Sequence, residues 1–299
     1  MNRYPHFFRL VFFLSLLFMA LIPVEAGIID QSSTSRNQDW KIDHAVVVVS
    51  DLNRSIEEFK DAGYTVIPGG EFPGAQTHNA LIPFVDGSYI ELFAPVDPAL
   101  SMQMNQLVTT GIFDEAMNKS DPMEKRFMLH LAEGPGVRDF ALASPDLNLT
   151  LEPSLVAASG LNLSYPIAMT RNRPDGETVA WYVDVPLSQT PMALPFLIAD
   201  ETPRSYRAPE VNASYHANGA TGIRSITVAV TDPAETLPLY DAMLPGVSRN
   251  QDEKGTIYTL NGSSVSIIRN ADTTKHDGPV NIELKKGEDE TLSLRGLSL

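Results

Sequence analysis

Glu91 is the single charge in the apolar run "YIELFA", and His44 is the single polar side chain in "HAVVVV". A carboxylate inside a buried strand is costly unless it is paired, hydrogen-bonded or bound to a metal ion. Alternation along a strand puts Tyr89 and Phe93 on the face of Glu91. That face is otherwise apolar, a setting that raises a carboxylate's pKa and makes it a base near neutral pH. The blander reading of His44 and Glu91 is a hydrogen-bonded couple with no catalytic task.

Other groups lie within reach of the same chemistry. Asp86-Gly87 reads as a two-residue type I′ turn between "HNALIPF" and "SYIELFA". In that register Ile82 faces Glu91, and His78 shares Glu91's face about 13 Å along it at about 3.3 Å per residue. His78, with its neighbour Asn79 and with Tyr89, is then a rim or substrate contact. Arg173 in "NRPDG" and Arg204 in "ETPRSYR" offer guanidinium forks for a substrate carboxylate. The alternative is that they pin their loops to Asp175 and Asp200. Trp181 reads as core packing. A P-loop, GxGxxG, GxSxG and HExxH are absent, which argues against nucleotide-dependent and serine-hydrolase chemistry.

Strands must position these groups, and the strands come in copies. "IDHAVVVVSDL" (Ile42–Leu52), "VRDFALASPDL" (Val137–Leu147) and "IRSITVAVTDP" (Ile223–Pro233) align on their aspartate steps. Each is an apolar run followed by a polar cap into a helical pattern. Three more strand signals follow each copy, giving strand–helix–strand–strand–strand three times. Wide-spaced self-similarity of this kind marks repeated supersecondary units. The expected organisation is a signal peptide over 1–26, a polar tail over 27–40 and a first module over 41–96. A helical connection over 97–136 leads to a second module over 137–205. A linker over 206–221, a third module over 222–271 and a C-terminal tail over 272–299, polar and poorly ordered from 284, complete the chain.

With these stretches, "GYTVIPGGEFPGAQTHNALIPFVDGSYIELFAP", "NRPDGETVAWYV" and "LPFLIADETPR", the chain resembles the glyoxalase-like branch of the vicinal oxygen chelate superfamily over residues 41–270. The resemblance implies an α+β fold of βαβββ modules whose mixed sheets curl into a cup. It also implies metal ligands on the first and last strands of each module. Residue by residue those positions are His44 and Glu91, with Asp139 at the second-module place matching His44. An imidazole with carboxylates suits Mn, Fe, Zn or Ni. Glu91, by the same resemblance, moves a proton on carbon beside a carbonyl. The superfamily also hosts non-catalytic binding proteins, and fold alone does not decide between these.

Arg3 and Arg9 precede "LVFFLSLLFMALI" (Leu10–Ile22), and small residues follow to Ala26. This is the pattern of a secretory signal, too short for a span needing about 20 residues. Export to the periplasm or the secretory pathway is expected, with no membrane span afterwards. There is no cysteine, so thiol chemistry is excluded, and a chain of this length can bury a stable core without disulfides. The charge of −15 opposes phosphate backbones, so nucleic acid is not an expected partner. Sequons occur at Asn53, Asn118, Asn148, Asn162, Asn212 and Asn261, although helix capping explains Asn53 and Asn148 equally well. The expected function is binding of a small oxygenated molecule in the cup, with metal-assisted lyase, isomerase or dioxygenase chemistry. The alternative is a metal-free binding or sequestering module. An unpaired third module suggests a homodimer.

Overall fold

A computed structural model describes residues 40–72, 76–144, 149, 151, 153–173, 176–187, 191–213, 215–271, 276–287 and 290–294. The expected signal peptide and nearly all of the tail after it lie outside the described residues.

The first module is β1 (Lys41–Val48), α1 (Leu52–Asp61), β2 (Ile67–Phe72), β3 (Thr77–Pro83) and β4 (Tyr89–Pro95). Asp51 caps α1, its carboxylate accepting from the Arg54 N–H, as the aspartate step predicts. Three helices follow: α2 (Ala99–Thr109), α3 (Phe113–Ala116) and α4 (Pro122–Glu133). The second module is β5 (Gly136–Ala143), α5 (Pro153–Ser159), β6 (Ile167–Asn172), β7 (Thr178–Asp184) and β8 (Phe196–Asp200). After the one-turn α6 (Arg204–Arg207), the third comprises β9 (Ala220–Val230), α7 (Pro233–Met243), β10 (Ser248–Gln251), β11 (Gly255–Leu260) and β12 (Ser263–Arg269).

Modules one and two share an eight-stranded mixed sheet in the order β2-β3-β4-β1-β5-β8-β7-β6. In each, the first strand pairs in parallel with the last, and β1 and β5 join the halves antiparallel. The sheet curls, because side chains from β3 and from β6, almost at opposite ends of the strand order, line one cavity. Period-two alternation sorts the two faces. Ala45, Val47, Val49, Ile90 and Leu92 enter a core that also holds Ile226, Val228, Ile267 and Ile282 of the third module. The other face is concave, and α2 and α4 plug one part of it, packing Leu100, Met104, Met128 and Leu131 on Val46, Val48 and Phe93.

The third module departs from expectation at its end. Residues 278–293, expected as polar tail, form β13 (Gly278–Lys286) and β14 (Glu290–Ser293). The second sheet runs β10-β11-β12-β9-β13-β14, with β13 antiparallel to β9 as β5 is to β1. Ile282 and Leu284 alternate inward and are buried, which a charge-rich segment with two lysines and three glutamates concealed. The β9 edge that prompted the expectation of a homodimer is covered within the chain.

The turn at Asp86-Gly87 also differs. Phe84 N–H donates to Ser88 O and Gly87 N–H to Phe84 O, closing a longer loop. Asp86 does not sit at the tip of a tight hairpin. Its carboxylate accepts from Ser88 N–H and Oγ and from Lys285 Nζ at 2.7 Å, and its N–H donates to Thr221 O. These contacts with the third module set the loop. Leu81, not Ile82, therefore faces Glu91, and a one-residue slip moves every β3 side chain to the other face.

Candidate active site in the concave sheet

The site begins with an irregularity in β1. Ile42 opposes Leu142 and His44 opposes Ala141, so Asp43 is the extra residue of a bulge. Neighbouring strand residues normally point to opposite faces, but here the Asp43 carboxylate reaches the His44 ring, Oδ1 lying 2.6 Å from Nδ1. The ring stacks on Tyr89 (centroids 4.5 Å apart, planes at 10°) and meets the edge of Phe196. Asp43 is itself held by α6, whose single turn supplies Arg204 and Arg207 three residues apart. Arg207 forks onto both Asp43 oxygens (3.0 and 2.9 Å) and both Asp200 oxygens (2.6 and 2.9 Å), and donates to Tyr89 Oη. Arg204 pairs with Asp43 and with the Gly87 carbonyl. Burial would raise the Asp43 carboxyl, but Arg204 and Arg207 outweigh it and hold it well below the usual carboxylate range. Burial dominates at Tyr89 and pushes its hydroxyl up. An ionised Asp43 assigns the proton of the neutral imidazole to Nδ1, which turns the Nε2 lone pair toward the cavity.

Glu91 completes the centre. Its Oε2 lies 3.7 Å from His44 Nε2, and Oε1 accepts from Asn79 Nδ2 at 2.6 Å. Both groups are nearly buried, at 3% and 7% exposure. They open into a cavity of about 490 Å³. His44, Asn79, Tyr89, Glu91, Arg171 and Arg207 are among its polar lining residues. Met123, Phe127, Met169, Trp181, Val183, Phe196 and Ile198 are among the apolar ones, and Asp121, the N-cap of α4, and Glu124 in its first turn also line it.

His44, Glu91, Asn79 and Tyr89, named from sequence, thus meet. His78 does not: the slipped register takes it off Glu91's face, and it does not line the cavity. Arg204 pins the Gly87 loop and Asp43, while Arg173 lies over the Tyr206 ring at 4.7 Å. Neither lines the cavity. Asp139 is engaged elsewhere, since Arg126 forks onto it at 2.6 and 2.7 Å and His130 Nε2 lies 2.6 Å from Oδ2. Burial alone would raise the Asp139 carboxyl, but Arg126 and His130 hold it well below its ordinary range.

This decides how far a divalent ion fits. His44, braced by a carboxylate on its other nitrogen, and Glu91 have the form of two metal ligands. The second module offers Ala141, Phe196 and Ile198 on the matching surface, and Asp139 is already engaged by Arg126 and His130. Among the described residues no cluster of three His, Asp or Glu could hold an ion. A catalytic centre ordinarily takes three protein ligands. The residues present do not fit the expected protein-held metal.

Sequence reasoning missed Asp43, Arg171, Arg207 and the Arg126–His130 pair. Two signals were available: Arg207 follows Arg204 by one helical turn, and Arg126 and His130 share a helix face at i, i+4. The bulge that joins Asp43 to His44 left no trace in the sequence.

A family model described as a glyoxalase-like domain matches residues 42–244. The chain belongs to this glyoxalase-like family. Among solved structures, a hypothetical protein from Staphylococcus aureus is similar over 83% of this chain and 92% of its own, at 17% identity and a TM-score of 0.60. A Mn(II)-bound glyoxalase from Novosphingobium aromaticivorans aligns with 81% of this chain and 64% of its own (11% identity, TM-score 0.46). An extradiol ring-cleaving dioxygenase from B. fuscum aligns with 78% and 54% (10% identity, TM-score 0.41). A comparison with curated proteins finds no match.

Proposed function

We propose that this protein binds a small oxygenated molecule in the concave sheet and moves a proton on it, as a metal-independent isomerase or lyase. The observation that carries the reading is the convergence of His44 Nε2 and Glu91 Oε2, 3.7 Å apart in a largely apolar cavity. With Nδ1–H held by Asp43 and Glu91 ionised, both atoms accept, and the ligand brings the proton, as a hydroxyl or an acidic C–H. His44 accepts from a hydroxyl of the ligand. Glu91 takes the proton from carbon beside a carbonyl; the C–H electron pair becomes a C=C bond as the carbonyl π pair moves onto oxygen. His44 takes the hydroxyl proton and gives it to the oxyanion, so that the second oxygen becomes the carbonyl as Glu91 returns its proton to the adjacent carbon. The product is the isomer, and no oxidant or reductant is required. Asn79 fixes the Glu91 carboxylate, and Asp43 stabilises the imidazole whenever it carries charge.

Proton NMR in D2O tests this on a set of small α-hydroxycarbonyl compounds. The wild type is expected to exchange the C–H α to the carbonyl in at least one of them, and Glu91→Gln to abolish the exchange while the compound still binds. Binding without exchange in the wild type overturns the catalytic reading in favour of a sequestering module. Metal analysis after supplementation with Mn, Fe, Zn or Ni is expected to find far less than one ion per chain. Export through residues 1–26 belongs to the same proposal, and the mature N-terminus is expected near Gly27 by N-terminal sequencing.

A further inference from the structure

Arg171 lines the cavity on β6, at the far edge of the eight-stranded sheet from β3. Its Nη2 donates to the Arg207 carbonyl at 2.8 Å, which fixes the guanidinium, and no carboxylate among the described residues pairs with it. The other arginines around the site are treated differently. Arg126 has Asp139, Arg204 has Asp43, and Arg207 has both Asp43 and Asp200. Burial of Arg171 lowers its pKa, with Tyr89 and Glu91 acting against this from a distance. A partly desolvated cation with no carboxylate in direct contact is a cost that a bound anion offsets.

We infer that the ligand of this cavity is a carboxylate, anchored by Arg171. The inference rests on the proposal that a small molecule binds here, and it adds the molecule's charge and orientation. A planar guanidinium lining a cavity matches the two oxygens of a carboxylate. With the carboxylate on Arg171, the rest of the molecule spans toward His44 and Glu91 while its apolar part meets Trp181 and Phe196. Asp121 and Glu124 line the same cavity from α4, and the chain carries a net −15, so nothing general about the protein draws an anion in. The attraction is local to Arg171.

Trp181 lines the cavity and reports occupancy by fluorescence, against the constant signal of the other tryptophan, Trp40. The probes are mandelate, lactate and benzoate, each beside its neutral amide, with inorganic phosphate as a second anion. At least one carboxylate is expected to bind the wild type more tightly than its amide. Arg171→Gln is expected to weaken that carboxylate roughly tenfold to a hundredfold and to leave the amide unchanged; Arg171→Lys should fall between. Amides binding as tightly as carboxylates, or phosphate binding more tightly than any of them, overturns the carboxylate assignment and leaves the small-molecule reading standing. No response from any probe overturns the assignment and counts against the small-molecule reading as well. The comparison of acid with amide on the wild type holds even if Arg171→Gln fails to fold.

Discussion

His44 and Asp139 occupy matching places in their modules, yet one faces an open cavity and the other is clamped from two sides. The difference sets what each substitution does. Asp139→Ala removes the carboxylate onto which the buried Arg126 forks, and is expected to lower stability by about 3–5 kcal/mol in urea unfolding. Glu91→Gln relieves a buried carboxylate whose one short hydrogen bond comes from Asn79, and is expected to leave stability unchanged or raise it by about 1 kcal/mol. The acids also divide by the sign of their pH dependence. Asp43 and Asp139 are held below the ordinary 3.8, so their contribution is complete above that value and drains away as pH falls through the lowered pKa. Asp184 is the reverse. Burial lifts it to about 6 against the hydrogen bonds of Ser164 and Val185. Its contribution is whole below the unfolded value and is lost as pH rises through about 6. Asp184→Asn is therefore expected to stabilise the protein at pH 7 by about 1–2 kcal/mol and to flatten the fall in stability on the way there. At this scale the sequence showed His44 and Glu91, because a lone polar group in an apolar strand stands out. It hid the charges that brace the pair, because arginines and aspartates abound in loops and only the fold says which of them meet.

Elements decide which side chains meet. Alternation in "HNALIP" is equally regular in either register, so the sequence could not say whether His78 or Asn79 faces Glu91. The answer came from Asp86, whose partners Lys285 and Thr221 lie far along the chain. The second element that sequence reading missed is the β13–β14 hairpin, whose lysines and glutamates mask an inward row of Ile282, Leu284 and Leu294. A chain stopped at residue 271 loses that row and leaves the long β9 unpaired on one side. Such an edge seeks another strand, and the truncated protein is expected to aggregate or dimerise in light scattering. A truncated, soluble monomer with the native melting temperature contradicts this role for the hairpin.

Across the whole molecule, the threefold copying of one βαβββ unit was plain from the aspartate steps, and the order of strands follows from it in all three copies. Division of labour among the copies was not visible. The first module supplies His44 and Glu91, the second supplies Arg171, Trp181 and Phe196, and among the described residues the third contributes none to the cavity. It shares a core with the other two instead, and Tyr240 Oη ties α7 to the Ala193 carbonyl at 2.7 Å. A common core makes one cooperative unit. Calorimetry is expected to give a single transition with equal calorimetric and van't Hoff enthalpies, and two resolved transitions refute it. The pairing of β13 with β9 has a consequence for assembly. A surface that elsewhere in the same molecule welds one copy to the next is here closed off by a short tailpiece, so the chain carries its own terminator and growth by that route stops at a single polypeptide.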